Sequence, residues 1–78
     1  MAKTVIQQVA PGSPAQRAGV QVGETLVSIN GHPIRDVLDY KFYGYDPQLK
    51  LELQAGDKVR SLHLRKDVGE DLGLEFET

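Results

Sequence analysis

The chain predicts a β-rich α+β fold: a partly open barrel of five to six mostly antiparallel strands, capped by two short helices. Three observations lead there. Residues 49 to 53, "LKLEL", alternate leucine with charge, which is the period of a half-buried strand. Asn30-Gly31 and Ala55-Gly56-Asp57 are turn signals between strand-like runs, so they imply hairpins and antiparallel pairing. Strand and helix signals do not alternate regularly along the chain, as they would in a parallel sheet.

The first element, "KTVIQQV" from Lys3 to Val9, is β-branched and roughly alternating, with Val5 and Val9 expected on one face. Pro11-Gly12 then turns the chain. Ser13 is a good helix N-cap, because its hydroxyl can accept an otherwise unpaired N–H. Pro14 suits the first helical position, and Gly19 suits a left-handed stop. "ETLVSING" reads as a strand with Leu26 and Ser28 on one face and Val27 and Ile29 on the other. Asp36 is the expected N-cap of a short second helix that ends at Gly44. In "QLKLELQ", Leu49, Leu51 and Leu53 point inward while Lys50 and Glu52 point out. "KVRSLHLRK" returns with Leu62 and Leu64 buried; Val59 breaks that parity, so a bulge or a late start to pairing is expected. The last element carries Leu72, Leu74 and Phe76 in phase.

At 78 residues the chain is one domain, and 40 % apolar content suffices for one small core. There is no cysteine, hence no disulfide and no thiolate ligand. A net charge of −2 argues against nucleic acid as a partner, and no apolar run approaches a membrane span. Cytoplasmic residence, no membrane association and a monomer are the default expectations. Met1-Ala2 reads as an artificial start, with residues 1 to 78 an N-terminal piece of a larger protein.

"GSPAQRAGVQVGETLVSING", Gly12 to Gly31, resembles a PDZ domain: cap, helix stop, turn, strand and tight turn follow in that family's order. Glu24 stands where the family usually has aspartate, and it can still accept hydrogen bonds. In the common PDZ arrangement a Φ-Gly-Φ loop near the N-terminus binds a carboxylate and leads into the strand on which a peptide docks. Here the matching Leu72-Gly73-Leu74 lies at the far end, so the resemblance implies a circular permutation. More narrowly, "INGHPIRDVLDYKF" and "EDLGLEF" resemble the N-terminal PDZ-like region of bacterial radical SAM-related iron–sulfur proteins. A cysteine-rich region follows in that family. This chain has none, so no cofactor is expected in it.

The resemblance implies a ligand site at Leu72, Gly73, Leu74, Glu75 and Phe76, faced by Val37, Leu38 and Lys41 of the second helix. Backbone N–H groups around Leu72, Gly73 and Leu74 would hold a terminal carboxylate, and Gly73 would let the backbone approach it closely. Gly73→Val is then expected to abolish binding with little unfolding; global unfolding would instead indicate a core role. Leu72, Leu74 and Phe76 equally have the spacing of an ordinary core strand. Glu70 and Asp71 would repel an incoming carboxylate by roughly 1 kcal/mol per close exposed pair before screening, unless Arg65 or Lys66 compensates. An internal segment, or a neighbouring domain of the parent chain, suits this loop better.

Other constellations carry less. His32 and His63 would have to converge with a carboxylate to bind metal, and His63 has the parity of a solvated strand face, so no metal site is expected. Ser13 and Ser61 are explained as a cap and an outward strand residue, which leaves no nucleophile with an oriented base. Tyr40, Phe42, Tyr43 and Tyr45 form either a partner surface or a cap over the barrel opening. The expected function is a non-catalytic module that binds an extended peptide or segment by strand addition. The alternative is a structural domain docked on an adjacent radical SAM-like iron–sulfur domain.

Overall fold

The structure, a computed structural model, describes residues 4–77, so Met1, Ala2, Lys3 (the expected opening of the first strand) and Thr78 lie outside the described residues. In chain order the elements are β1 (Ile6–Val9), α1 (Pro14–Ala18), β2 (Thr25–Ile29), β3 (His32–Pro33), α2 (Val37–Tyr43), β4 (Gln48–Ala55), β5 (Lys58–Arg65) and β6 (Leu74–Phe76). They form a four-stranded sheet in the order β3-β2-β4-β5 and a two-stranded sheet of β1 and β6. All pairings are antiparallel. The barrel is not closed: among the described residues the segment leading into β1 meets β2 at an isolated Val5–Thr25 bridge and through bonds such as Leu26 N–H to Thr4 C=O, 2.9 Å.

Local chemistry explains the helices. Ser13 Oγ accepts the Gln16 N–H at 3.2 Å, Pro14 opens α1, and Gly19 closes it at φ +96°. Asp36 Oδ1 accepts the Asp39 N–H at 3.0 Å, and Gly44 ends α2. Asn30 and Gly31 both adopt positive φ, as a two-residue hairpin turn between β2 and β3 requires.

One core joins the two sheets, with Leu26, Ile29, Leu51 and Leu53 fully buried. β4 alternates as expected, β1 and β2 depart from the expected parity, and β5 lacks the expected irregularity. In β1 the bulge between Ile6 and Gln8 resets the phase; Ile6 becomes the buried residue, Val9 is half-buried and Val5 loses its place on that face. In β2 a register shift between Leu26 and Ser28 lets Leu26 and Ile29 both reach the core. β5 has no bulge: its pairing with β4 is regular from Ala55–Lys58 to Gln48–Arg65, and Val59 is simply exposed on the outer face. His63 also lies exposed on β5.

The Glu24 carboxylate, buried at the entry to β2, is held by Arg60 from β5 through Nε at 2.8 Å and Nη2 at 2.7 Å, and by the Gln21 N–H at 2.8 Å. The Arg60 hydrogen bonds, outweighing burial, keep its carboxyl below the ordinary value of 4.5.

Candidate functional site

Among the described residues β6 has a hydrogen-bonded neighbour, β1, on one edge only. Gly73 C=O accepts the Ala10 N–H at 2.8 Å and Glu77 N–H donates to Val5 C=O at 2.9 Å, so the odd-numbered backbone groups face β1. Strand period then turns the backbone of Leu74 and Phe76 the other way. On that side the Leu74 N–H donates to the Tyr40 hydroxyl of α2 at 3.3 Å. α2 therefore stands across the free edge of β6.

The expected site residues divide into three groups. Leu72, Leu74 and Phe76 are buried in the core, so any groove here meets their backbones. Glu75 and Lys41 are exposed, Val37 is 40 % exposed and Leu38 76 % exposed. Lys41 lines a pocket of about 210 Å³ together with Tyr40, Tyr45 and the loop at Gly69–Leu72, whereas Val37 and Leu38 do not line it. Gly73 forms the third case. It adopts φ +91°, and a Cβ there would run into Ser13, whose Oγ would lie 2.6 Å away. What needs the glycine is thus the packing of this loop on the start of α1. Two backbone bonds hold that contact, Ala15 N–H to Leu72 C=O at 3.1 Å and Ala10 N–H to Gly73 C=O at 2.8 Å.

Sequence reasoning placed Tyr40 in an aromatic partner surface or barrel cap and not among the site residues. It is buried, and its ring meets Phe76 edge-on at 4.9 Å. Its hydroxyl donates to Asp71 Oδ1 at 3.2 Å while accepting the Leu74 N–H. The same Asp71 oxygen accepts the Gly73 N–H at 2.9 Å. Burial, first of all, pushes the Tyr40 phenol well above its ordinary value of 10; the Leu74 N–H opposes this and the Asp71 charge adds to it. Tyr40 is accordingly a neutral donor. The signal was present in the sequence, since position 40 shares a helix face with the nominated 37 and 41.

Neighbouring groups leave the loop acidic. Glu70 folds back so that its Oε1 accepts the Asp67 N–H at 3.0 Å. Lys66 is buried, and its ammonium donates to the carbonyls of Tyr45 at 3.2 Å and Asp67 at 3.4 Å. It is not turned to the loop's carboxylates: among the described residues the one ion pair is Arg60–Glu24. The aromatic run also splits, because Tyr40 is in the core, Tyr43 packs against the core and stacks on His32 at 4.3 Å, and Phe42 and Tyr45 stay exposed.

Comparison with known proteins bears on the family of the chain and on the segment before β5. Residues 5–54 match the family described as PDZ domain. A protein of Synechocystis sp. named as a serine protease, HhoA, is 37 % identical over 62 residues, which is 74 % of this chain and 16 % of that protein. Human serine protease HTRA3 is 52 % identical over 31 residues, 40 % of this chain and 7 % of its own length. The mouse Na(+)/H(+) exchange regulatory cofactor NHE-RF4 is 52 % identical over 29 residues, 37 % of this chain and 6 % of its own. The chain thus spans a small part of each of these relatives.

Proposed function

The chain belongs to the PDZ domain family, and from that premise we propose that it takes an extended peptide or protein segment as an added strand on β6. The observation that carries this reading is the free edge of β6 with α2 standing across it. Main-chain bonds to Leu74 and Phe76 supply the affinity, and side chains of α2 such as Val37 and Lys41 supply selectivity. In this reading the chain is circularly permuted. It opens on the strand that commonly follows the docking strand, and it closes on the loop and docking strand themselves. The pairing of the last strand, β6, with the first, β1, supports that order. The module is non-catalytic and cytoplasmic.

A second reading has one observation on its side. Tyr40 bridges from α2 to Leu74 and Asp71, which narrows the slot, while Leu38 and Phe42 remain exposed on the same helix. In this reading the domain packs permanently against an adjacent radical SAM-like iron–sulfur domain of a parent protein.

Titration of the ¹⁵N-labelled chain with a random peptide pool separates the two. Shifts confined to Leu74–Glu77 and the β6-facing side of α2 are expected for strand addition. An unchanged spectrum at millimolar peptide would overturn it in favour of docking.

A further inference from the structure

We infer that Tyr40 and Asp71 occupy the place of a ligand's terminal carboxylate and so restrict this groove to internal segments. The inference rests on the strand-addition reading and names its ligand class.

The backbone N–H groups of Gly73 and Leu74 flank a residue at positive φ, an arrangement whose successive donors form an anion-binding concavity. Both donors are already engaged by side chains of the chain itself. Asp71 Oδ1 takes the Gly73 N–H at 2.9 Å, and the Tyr40 hydroxyl takes the Leu74 N–H at 3.3 Å. The two acceptors are joined to each other by the Tyr40 O–H bond to Asp71, 3.2 Å. Tyr40 is not a loose surface group, because its ring is buried against Phe76 on a helix that Asp36 caps.

A chain end arriving here would have to displace both acceptors. It would then face the freed Asp71 charge and Glu70 beside it. The nearest cation in sequence, Lys66, is buried and spent on two carbonyls, and Lys41, among the described residues the one cation lining the adjoining pocket, shares it with both Glu70 and Asp71. An internal segment needs neither donor. It bonds to the Leu74 C=O and to the Phe76 backbone, which lie further along the free edge.

The test uses a hexapeptide pool randomised at its last four positions, made once as free acids and once as C-terminal amides, against the ¹⁵N-labelled full chain. Wild type should bind both pools alike, within about threefold. The Tyr40→Phe/Asp71→Ala double variant keeps the buried ring, frees both donors and removes one charge. It should favour the free acids by about tenfold. Asp71→Asn, at an exposed position, should shift preference the same way by less, and it serves if the double variant fails to fold. Wild type favouring free acids tenfold, or variants that treat the pools alike, would overturn the inference. If wild type binds neither pool while the variant takes the free acids, Tyr40 and Asp71 do occupy the carboxylate's place, but strand addition to the native chain, and with it the restriction to internal segments, is overturned.

Discussion

Replacing Gly73 by alanine should unfold this domain more readily than any other glycine-to-alanine change at an open turn. At φ +91° an L-residue loses roughly 1–2 kcal/mol in the left-handed region. The new methyl also points into Ser13, with Oγ 2.6 Å from it and Ala10 Cβ 3.3 Å. The loop must then back away from α1, weakening the Ala15–Leu72 and Ala10–Gly73 backbone bonds, each worth about 0.5–1.5 kcal/mol net. The sum is about 2–5 kcal/mol, against a total stability of roughly 4–12 kcal/mol for a chain of this size. Urea unfolding followed by circular dichroism measures it, compared at constant m. Gly56→Ala is the control, because it shares a positive φ of +63° but meets nothing within 4 Å, so it should lose only the conformational part. Ser13→Gly removes the atoms in the way at little loss of capping, so the double variant should recover about 1 kcal/mol or more through coupling. A Gly73→Ala variant no less stable than Gly56→Ala, or a double variant that is merely additive, would refute the steric reasoning.

Acid sensitivity should trace to Glu24. Its folded carboxyl lies below the ordinary 4.5, so its contribution is complete above that pH and is lost as pH falls through the folded value. Glu24→Gln should therefore flatten the pH dependence of the urea midpoint below about pH 4.5, and Arg60→Ala should lose roughly 1–3 kcal/mol at neutral pH. Leu51→Ala, at a fully buried position, should lose about 2–5 kcal/mol, read as a drop in melting temperature. Leu38→Ser and Phe42→Ser, 76 % and 74 % exposed as the wild-type residues are, should stay within about 0.5 kcal/mol of wild type.

Much of the fold was legible because it is written in short-range chemistry. Ser13, Gly19, Asp36 and Gly44 bound their helices through contacts within a few residues. The leucine alternation of β4 and the Asn30-Gly31 turn are equally local. Parity failed where a single inserted residue reverses every facing after it, at Ile6–Gln8 and at Leu26–Ser28. Such bulges leave no mark in the residue pattern, because they are set by how the partner strand arrives.

The candidate site divides the same way. Its expected location, on the last strand opposite the second helix, came from the resemblance to PDZ-like sequences, carried by short local runs such as Gly12–Gly31 and Leu72-Gly73-Leu74. The roles within it depend on residues far apart in sequence. Gly73 is required by Ser13, and Tyr40 reaches Asp71 and Leu74 across the sheet edge. Local sequence determines which segments become helix, strand and turn, because capping and alternation act over one or two turns of chain. Only the tertiary structure brings one side chain to another's hydrogen-bonding groups, and so only it decided that the Gly73 and Leu74 donors of the loop are already engaged by the chain itself.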